Sequence, residues 1–215
     1  MAGEKPSTIN ARTLLIVEGS EDERFFGALV THLGLRNLQV MGIGGKDSIR
    51  RRVRTLTVSP GFSMVVSMGI VRDADDNPGA AFESVCGALR DAGLSVPTQP
   101  GTIAGESPAV SVLILPGDNS CGMLEDLCLR AVAEDPAVPC VEQYIECLQK
   151  RQQDGCSFPR NQSKARVQMF LASRENPCRL LGEAAEAGCW PWDHVAFAQV
   201  KDFITQIATY TEGQP

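Results

Sequence analysis

Four short apolar runs, each followed by a stretch with helical periodicity, constrain the fold of this chain more than any other feature of its sequence. The runs lie at residues 14–17, 38–41, 64–71 and 110–115. Alternation of strands with helices is typical of β-α-β units, in which successive strands lie parallel. The sequence therefore predicts an α/β fold with a mainly parallel four-stranded sheet flanked by helices.

The remaining segments carry helical patterns. Between the apolar runs these patterns lie at residues 21–33, 46–56 and 80–92. Ser20 is the predicted N-cap of the first helix, and Glu23 is expected to complete a capping box. Beyond Asp118 only helical patterns follow, near residues 122–133, 141–151, 163–173, 179–187 and 195–208. We expect an α/β domain at residues 12–133 and a helical C-terminal extension at 134–210 packed on it.

Composition narrows the function classes. The 215 residues carry a formal net charge of −6, which disfavours a surface built throughout to adsorb nucleic acid, because such binding relies on Lys and Arg. The eight cysteines form no C-x-x-C pair and only His32 and His194 offer imidazole, so a zinc site is disfavoured. Residues 1–12 are polar and the first apolar run is short, which predicts a cytoplasmic protein with no membrane association.

Acidic side chains follow the predicted strands. Glu18 follows the first strand, Asp73 and Asp75 follow the third, and Glu125 lies in the segment after the fourth. Because ligands of open parallel sheets bind beyond the carboxyl ends of the strands, we expect these acids to converge on one edge. Their mutual repulsion is costly unless a cation is present, and Mg²⁺ prefers such oxygen ligands.

The spacing of these acids refines the expectation. Residues i and i+2 of an extended segment point to the same side, so Asp73 and Asp75 are expected to present both carboxylates to one metal. The adjoining Asp76 and Asn77 favour a turn, and a purely structural role in that turn is the alternative for the pair. Asp22 is placed to reach the same edge, although the dipole of the first helix alone accounts for an acid there.

Three motifs together resemble the TOPRIM domain of topoisomerases, primases and the OLD-family nucleases. They are Leu15-Ile16-Val17-Glu18-Gly19, then Gly44-Gly45-Lys46, then Asp73-x-Asp75. The resemblance implies a TOPRIM-like, Rossmann-like sheet, an acid/base or metal-binding role for Glu18, and magnesium binding by Asp73 and Asp75. The whole chain looks most like a small stand-alone bacterial family of TOPRIM-like proteins.

The OLD-nuclease-like branch implies further site residues. Its acid four residues after the glutamate is matched by Asp22, its glutamate after the fourth strand by Glu125, and its later lysine by Lys164. Glu18 and Lys164 are thus the predicted catalytic residues. The predicted metal ligands are Glu18, Asp22, Asp73, Asp75 and Glu125. OLD nucleases also carry an ATPase domain, for which this sequence has no counterpart and no Walker A loop, so an ATPase is expected at most as a partner.

Two basic stretches stand out in this acidic chain, at residues 44–54 and 150–166. In the first, Lys46, Arg50 and Arg51 are candidates for phosphate binding, assisted by backbone N–H groups at the following helix start. If both stretches flank the acidic edge, they hold a phosphodiester backbone without reading its sequence. A solvated helix face is the alternative interpretation.

Together these features predict phosphodiester hydrolysis on a nucleic acid with Mg²⁺ or Mn²⁺ as the cofactor, the chemistry of a nuclease-like hydrolase. The alternative is a non-catalytic TOPRIM-like module that uses the same edge to bind a metal, a nucleotide or a partner. Turnover distinguishes the two hypotheses, because both include metal binding and only the first includes hydrolysis.

Overall fold

A computed structural model describes residues 8–45 and 48–211 of the chain. The strands in this range are β1 (Thr13–Val17), β2 (Leu38–Gly42), β3 (Ser67–Asp73) and β4 (Ala109–Leu115). The helices are α1 (Ser20–His32), α2 (Ile49–Thr57), α3 (Pro78–Asp91), α4 (Leu124–Ala131), α5 (Val138–Arg151), α6 (Gln162–Ala172), α7 (Leu181–Glu186) and α8 (Ala198–Thr209). None of these helices has both the length and the apolar character that a bilayer crossing requires.

The four strands form one parallel sheet in the order β2-β1-β3-β4, which confirms the α/β fold that the sequence predicts. Strand β1 lies between β2 and β3, so that Ile16 pairs with Met41 on one side and with Ile70 on the other. The chain therefore leaves β1 in one direction and later crosses to its other side. In open α/β sheets this reversal opens a crevice beyond the carboxyl ends of the two strands, here β1 and β3.

Both faces of the sheet are buried, because side chains alternate along each strand. On β1, Leu14 and Ile16 point into a core shared with helices α2 and α3. Leu15 and Val17 point into a second core, shared with α1 and the C-terminal helices. Burial on both faces explains why the strands have continuous apolar sequences instead of alternating apolar and polar residues.

Strand β3 is shifted towards the C-terminus relative to its apolar run. It begins at Ser67 instead of residue 64, and it continues through Arg72 and Asp73, which pair with Ile114 and Leu115 of β4. The polar character of these two residues hides the end of the strand from a hydrophobicity pattern. As a result, Asp73 is the last residue of the strand and stands at the edge where the crevice opens.

Helix α8 lies directly on the sheet at Gly69 of β3. A Cβ atom at this glycine would lie 2.6 Å from Ile207 Cδ1 and 3.1 Å from Phe203 Cε1. The Ser67 hydroxyl donates a buried 2.7 Å hydrogen bond to the carbonyl oxygen of Ile207. The C-terminal helices thus complete the core on one face of the sheet, and the boundary expected at residues 133/134 stays a prediction.

We expect Gly69→Val to destabilise the fold by about 1–3 kcal/mol, because the added methyl groups enter a packed core. Gly27→Ala in α1 is the matched control, since a Cβ atom there meets nothing within 4 Å. Alanine is favoured over glycine inside a helix by about 1 kcal/mol, so the control should be neutral or stabilised. Urea denaturation measures both variants, and a valine variant as stable as the wild type would contradict the close approach of α8.

Candidate metal centre

A pocket of about 440 Å³ opens beyond the carboxyl ends of β1 and β3, where the strand order reverses. Its walls include five of the predicted site residues, which come from separate parts of the chain: Glu18, Asp22, Asp73, Glu125 and Lys164. The structure thus brings these five residues to one edge of the sheet. Their roles in chemistry stay predictions at this point.

Glu18 directly follows β1, and its position is fixed by the backbone, because its carbonyl oxygen accepts a 2.7 Å hydrogen bond from the Gly45 N–H. Its side-chain Oε1 lies 3.6 Å from Nε of Arg72. Both atoms are buried, and neither has a hydrogen-bond partner among residues 8–45 and 48–211. Burial raises the pKa of Glu18, although the Arg72 guanidinium acts in the opposite direction. A buried oxygen without a partner is costly, so this atom is available to a cation.

Asp73 stands at the end of β3 and is the most strongly perturbed acid of the pocket. Its Oδ1 accepts a 3.0 Å hydrogen bond from the Leu124 N–H at the start of α4. Burial raises the pKa of Asp73 to about 8, and the charges of Glu18, Asp22 and Glu125 contribute in the same direction. Without a cation, Asp73 therefore holds a proton at neutral pH, because three like charges face it in a poorly solvated place.

Asp22 lies in the first turn of α1 and is held by the start of that helix. Its Oδ2 accepts a 2.7 Å hydrogen bond from the N–H of Gly19, which is the N-cap residue. The predictions of Ser20 as N-cap and of Glu23 as its capping partner are therefore wrong by one residue each. Burial raises the pKa of Asp22, and the charge of Glu125 adds to the effect.

Glu125 and Lys164 form an ion pair across the mouth of the pocket. Lys164 Nζ lies 3.7 Å from Glu125 Oε1, and the lysine is more than half exposed whereas the glutamate is mostly buried. Asn161 caps helix α6, and its Oδ1 accepts a 2.9 Å hydrogen bond from the Lys164 N–H. The cap fixes the lysine in the first turn of the helix, where its charge opposes the helix dipole.

Asp75 does not have the geometry that the sequence predicts. Strand β3 ends at Asp73, and Asp75 has φ of 49°, in the left-handed region. Its backbone instead pairs with Gly122 through hydrogen bonds of 2.9 and 2.8 Å. The expectation that Asp73 and Asp75 point to the same side of an extended segment is therefore wrong, because the segment is not extended. Asp75 does not line the pocket, although its charge raises the pKa of Glu18.

The predicted phosphate-binding residues do not join the acidic pocket in the described part of the chain. Lys46 lies outside the described residues. Arg50 and Arg51 line a separate groove with Arg54 on the outer side of α2, and Arg50 Nη1 lies 3.4 Å from a carboxylate oxygen of Asp91 on α3. Helical periodicity turns these arginines towards α3. A count of charges along the sequence does not show the direction in which a helix presents them.

Two basic residues, one beside the pocket and one in its lining, were not anticipated from the sequence. Arg72 precedes Asp73 on β3, and its Nη1 donates a 2.8 Å hydrogen bond to Ser84 Oγ while its Nε faces Glu18. Arg179 lines the pocket from the segment before α7, with its side chain exposed. Arg72 was detectable as a charge inside an apolar strand, whereas no local signal marks Arg179, which reaches the pocket through the packing of α7 on α1.

The carboxylate oxygens of the pocket suit a hard divalent cation, although they do not converge on one common point. Among residues 8–45 and 48–211, no three histidine, cysteine, aspartate or glutamate side chains form a ready-made metal-binding group. The carboxylates instead hold internal partners: Asp22 the Gly19 N–H, Asp73 the Leu124 N–H, and Glu125 the Lys164 ammonium. The orphaned Glu18 Oε1 and the raised pKa of Asp73 both indicate that a cation would relieve the pocket. The residues therefore fit Mg²⁺ or Mn²⁺ by their chemistry, with side-chain rotation needed to bind it.

The raised pKa of Asp73 predicts the pH dependence of stability without metal. Between its ordinary value of 3.8 and the folded value of about 8, the folded protein holds a proton that the unfolded chain has released. This group's stabilisation is complete at low pH and is lost as pH rises through that window, by up to about 1.4 kcal/mol per pH unit. Asp73→Asn should remove this slope while keeping an oxygen for the Leu124 N–H.

Urea denaturation in the presence of a chelator measures the effect as the difference between variant and wild type across this pH range. Asp76→Asn, an exposed neighbour in the same loop, is the control and should keep the wild-type slope. Identical pH profiles for the wild type and Asp73→Asn would contradict the perturbed state of Asp73.

Comparison with solved structures supports the fold. The C-terminal region of the Burkholderia pseudomallei OLD protein is similar over 94% of this chain and 100% of its own, with a TM-score of 0.50 and 12% identity. The C-terminal region of the Xanthomonas campestris pv. campestris OLD protein matches over 92% of this chain and 96% of its own, with a TM-score of 0.48 and 13% identity. At such low identity the first similarity shows a shared fold and nothing further.

Comparison at the level of sequence gives a family. No curated protein matches this chain. A family profile described as "Protein of unknown function (DUF3226)" matches residues 12–209, a span that includes the sheet, the acidic pocket and the C-terminal helices. The match covers most of the chain, and the protein belongs to this family, DUF3226.

Proposed function

We propose that this protein is a TOPRIM-like phosphodiesterase that hydrolyses the backbone of a nucleic acid with Mg²⁺ or Mn²⁺ as cofactor. The observation that carries the proposal is the pocket at the switch point of the sheet, which joins four of the predicted acids and the predicted lysine from separate elements. Burial, together with the neighbouring carboxylates, raises the pKa of Asp73 to about 8, and groups perturbed in this way cluster at functional sites. The fold shared with the OLD C-terminal region agrees with this class of activity.

The acids divide into two groups by their surroundings. Asp73 ends β3 and Glu18 follows the neighbouring strand β1, so these two would hold a first cation, while Asp22 and Glu125 lie nearer Lys164 and would assist it or hold a second one. When bound, a divalent ion polarises a phosphate oxygen and lowers the pKa of a bound water. Asp75 has the weakest support as a ligand, because its backbone is left-handed and it does not line the pocket.

The remaining pocket residues would serve the phosphate and the proton. Lys164 is more than half exposed and sits 3.7 Å from Glu125, too far for a hydrogen bond, so a phosphate oxygen can compete for its charge. Arg179 is an exposed residue of the same pocket and offers two parallel N–H donors to the same group. Burial raises the pKa of Glu18, which favours its use as an acid or base nearer to neutral pH.

The basic groove on α2 would bind the outer part of an extended substrate. Arg50, Arg51 and Arg54 line it, away from the acidic pocket. Phosphate contacts of this kind position a polymer without reading its sequence, and they matter more in a chain whose formal net charge is −6. We therefore assign Lys164 and Arg179 to the reacting phosphate, and Arg50 and Arg51 to the flanking backbone.

Asp73→Asn and Glu18→Gln should each lower metal-dependent cleavage of plasmid DNA or oligonucleotides by at least about 100-fold, because they remove charge that holds the ion. Lys164→Met should lower cleavage by a smaller factor, about 10- to 100-fold, through the loss of charge stabilisation. Asp76→Asn, exposed and outside the pocket, is the control and should cleave as the wild type does. The proposal fails if the purified wild type cleaves neither DNA nor RNA with Mg²⁺ or Mn²⁺.

A non-catalytic binding module is the second candidate, favoured by the internal cations of the pocket. Arg72 faces Glu18 and Lys164 faces Glu125, so two of the four acids are already partly neutralised. In that case the pocket would take up a metal with a nucleotide or a partner such as an ATPase, without turnover.

Metal binding itself is tested separately by thermal denaturation with increasing Mg²⁺. At a concentration 100 times the dissociation constant, the wild type should gain about 2.7 kcal/mol. Asp73→Asn should gain much less, because it lacks the charge that the ion neutralises, and Asp76→Asn should respond as the wild type does. Stabilisation without cleavage would support the binding module, and the absence of any stabilisation would contradict both candidates.

A further inference from the structure

Two cysteine thiols meet beside the acidic pocket. The Sγ atoms of Cys178 and Cys189 lie 3.9 Å apart, and both residues are partly buried at the edge of the core. A disulfide requires an S–S distance of about 2.05 Å, so the two sulfurs must approach by roughly 2 Å. A shift of this size is within the reach of side-chain rotation and a small backbone adjustment.

Cys178 and Cys189 flank, in the chain, the segment that forms one wall of the pocket. The chain between the two cysteines contains Arg179, Leu180 and Leu181, which line the pocket, and then helix α7. Cys189 is tied to the end of that helix, because its N–H donates a 2.9 Å hydrogen bond to the carbonyl oxygen of Ala184. The two sulfurs are therefore attached to opposite ends of one short element.

A buried tryptophan is hydrogen-bonded to the same segment. The Trp190 Nε1–H donates a 3.2 Å hydrogen bond to the carbonyl oxygen of Leu181, a residue of the pocket wall. Trp190 directly follows Cys189 in the chain. A movement of either cysteine is thus transmitted to the wall and to the indole, which also supplies a fluorescence signal.

We propose that Cys178 and Cys189 are a redox modification site, whose reversible disulfide controls metal binding in the adjoining pocket. The site itself stands on the juxtaposition of the two sulfurs, whereas its control of the pocket rests on the proposed function. The natural oxidant class is a small disulfide such as glutathione disulfide. Reversible pairs of this kind are the usual form of disulfide in reducing compartments.

The exchange proceeds in two balanced steps. One cysteine thiolate attacks a sulfur of glutathione disulfide, forms a mixed disulfide and releases one glutathione thiolate. The second cysteine then loses its proton and attacks the protein sulfur of that bond, which releases the second glutathione thiolate. The two cysteines are oxidised by two electrons, and the glutathione disulfide is reduced to two glutathiones. Partial burial and the nearby Cys189 raise the pKa of the Cys178 thiol, so mildly alkaline buffer speeds the reaction.

Closure displaces the wall from the arrangement described above. Drawing Cys178 towards Cys189 pulls the neighbouring Arg179, Leu180 and Leu181 along, because they follow Cys178 without an intervening turn of helix. The reduced protein is therefore the form that binds metal well, and oxidation weakens that binding.

The first experiment tests the modification. The native full chain is equilibrated with glutathione disulfide, free thiols are alkylated, and intact mass and peptide mapping locate any disulfide. We expect a Cys178–Cys189 linkage together with a change in tryptophan fluorescence, both reversed by dithiothreitol and both absent in Cys178→Ser. Cys147→Ser, which removes an exposed thiol on α5, is the matched control and should behave as the wild type does. Recovery of both cysteines as alkylated thiols would overturn the proposal.

The second experiment tests the control of the pocket. Mn²⁺ binding is measured by calorimetry on the reduced and the oxidised protein, and on Cys178→Ser under both treatments. We expect at least threefold weaker binding after oxidation of the wild type and no change in the serine variant. Equal or tighter binding by the oxidised wild type would overturn the regulatory part. If Mn²⁺ binds to neither form, the proposed function fails and the control of the pocket fails with it, whereas the linkage found in the first experiment is unaffected.

Discussion

The structure depends on covering both faces of a four-stranded parallel sheet. Helices α2 and α3 cover one face, and α1 covers part of the other, but the centre of that second face is closed by α8 from the far end of the chain. Gly69 allows this helix to approach β3 closely, and Ser67 ties it to the strand through the Ile207 carbonyl. Only with both faces closed are β1 and β3 fixed as neighbours, and their carboxyl ends define the acidic pocket.

The pocket concentrates charge where the fold leaves little water. Burial and the neighbouring carboxylates together raise the pKa of Asp73. Hydrogen bonds from helix starts and two internal cations, Arg72 and Lys164, offset part of this unfavourable charge. These partners keep the metal-free fold tolerable, yet each of them competes with a bound ion. If the proposed cation binds, its affinity is the difference between its contacts with the acids and the internal contacts that it displaces, that of Arg72 with Glu18 among them.

Much of the fold and part of the site follow from the sequence. The alternation of apolar runs and helical patterns was sufficient for the parallel sheet, and the positions of Glu18 and Asp73 after strands were sufficient to place them at a common edge. The sequence pattern did not predict the N-cap at Gly19 or the left-handed backbone of Asp75, because both depend on local backbone geometry. The contribution of Arg179 and the position of Arg50 depend on helix packing, which no pattern along the chain records.

The closure of the sheet by α8 also sets the order in which the protein can mature on the ribosome. Residues of β1 and β3 leave the exit tunnel early, but the apolar face that includes Leu15 and Gly69 is covered only in part, by α1, until Phe203 and Ile207 have been translated. During that interval the nascent sheet exposes a surface that invites chaperone binding or aggregation. Assembly of the complete sheet, and of the pocket at its edge, therefore requires the synthesis of α8.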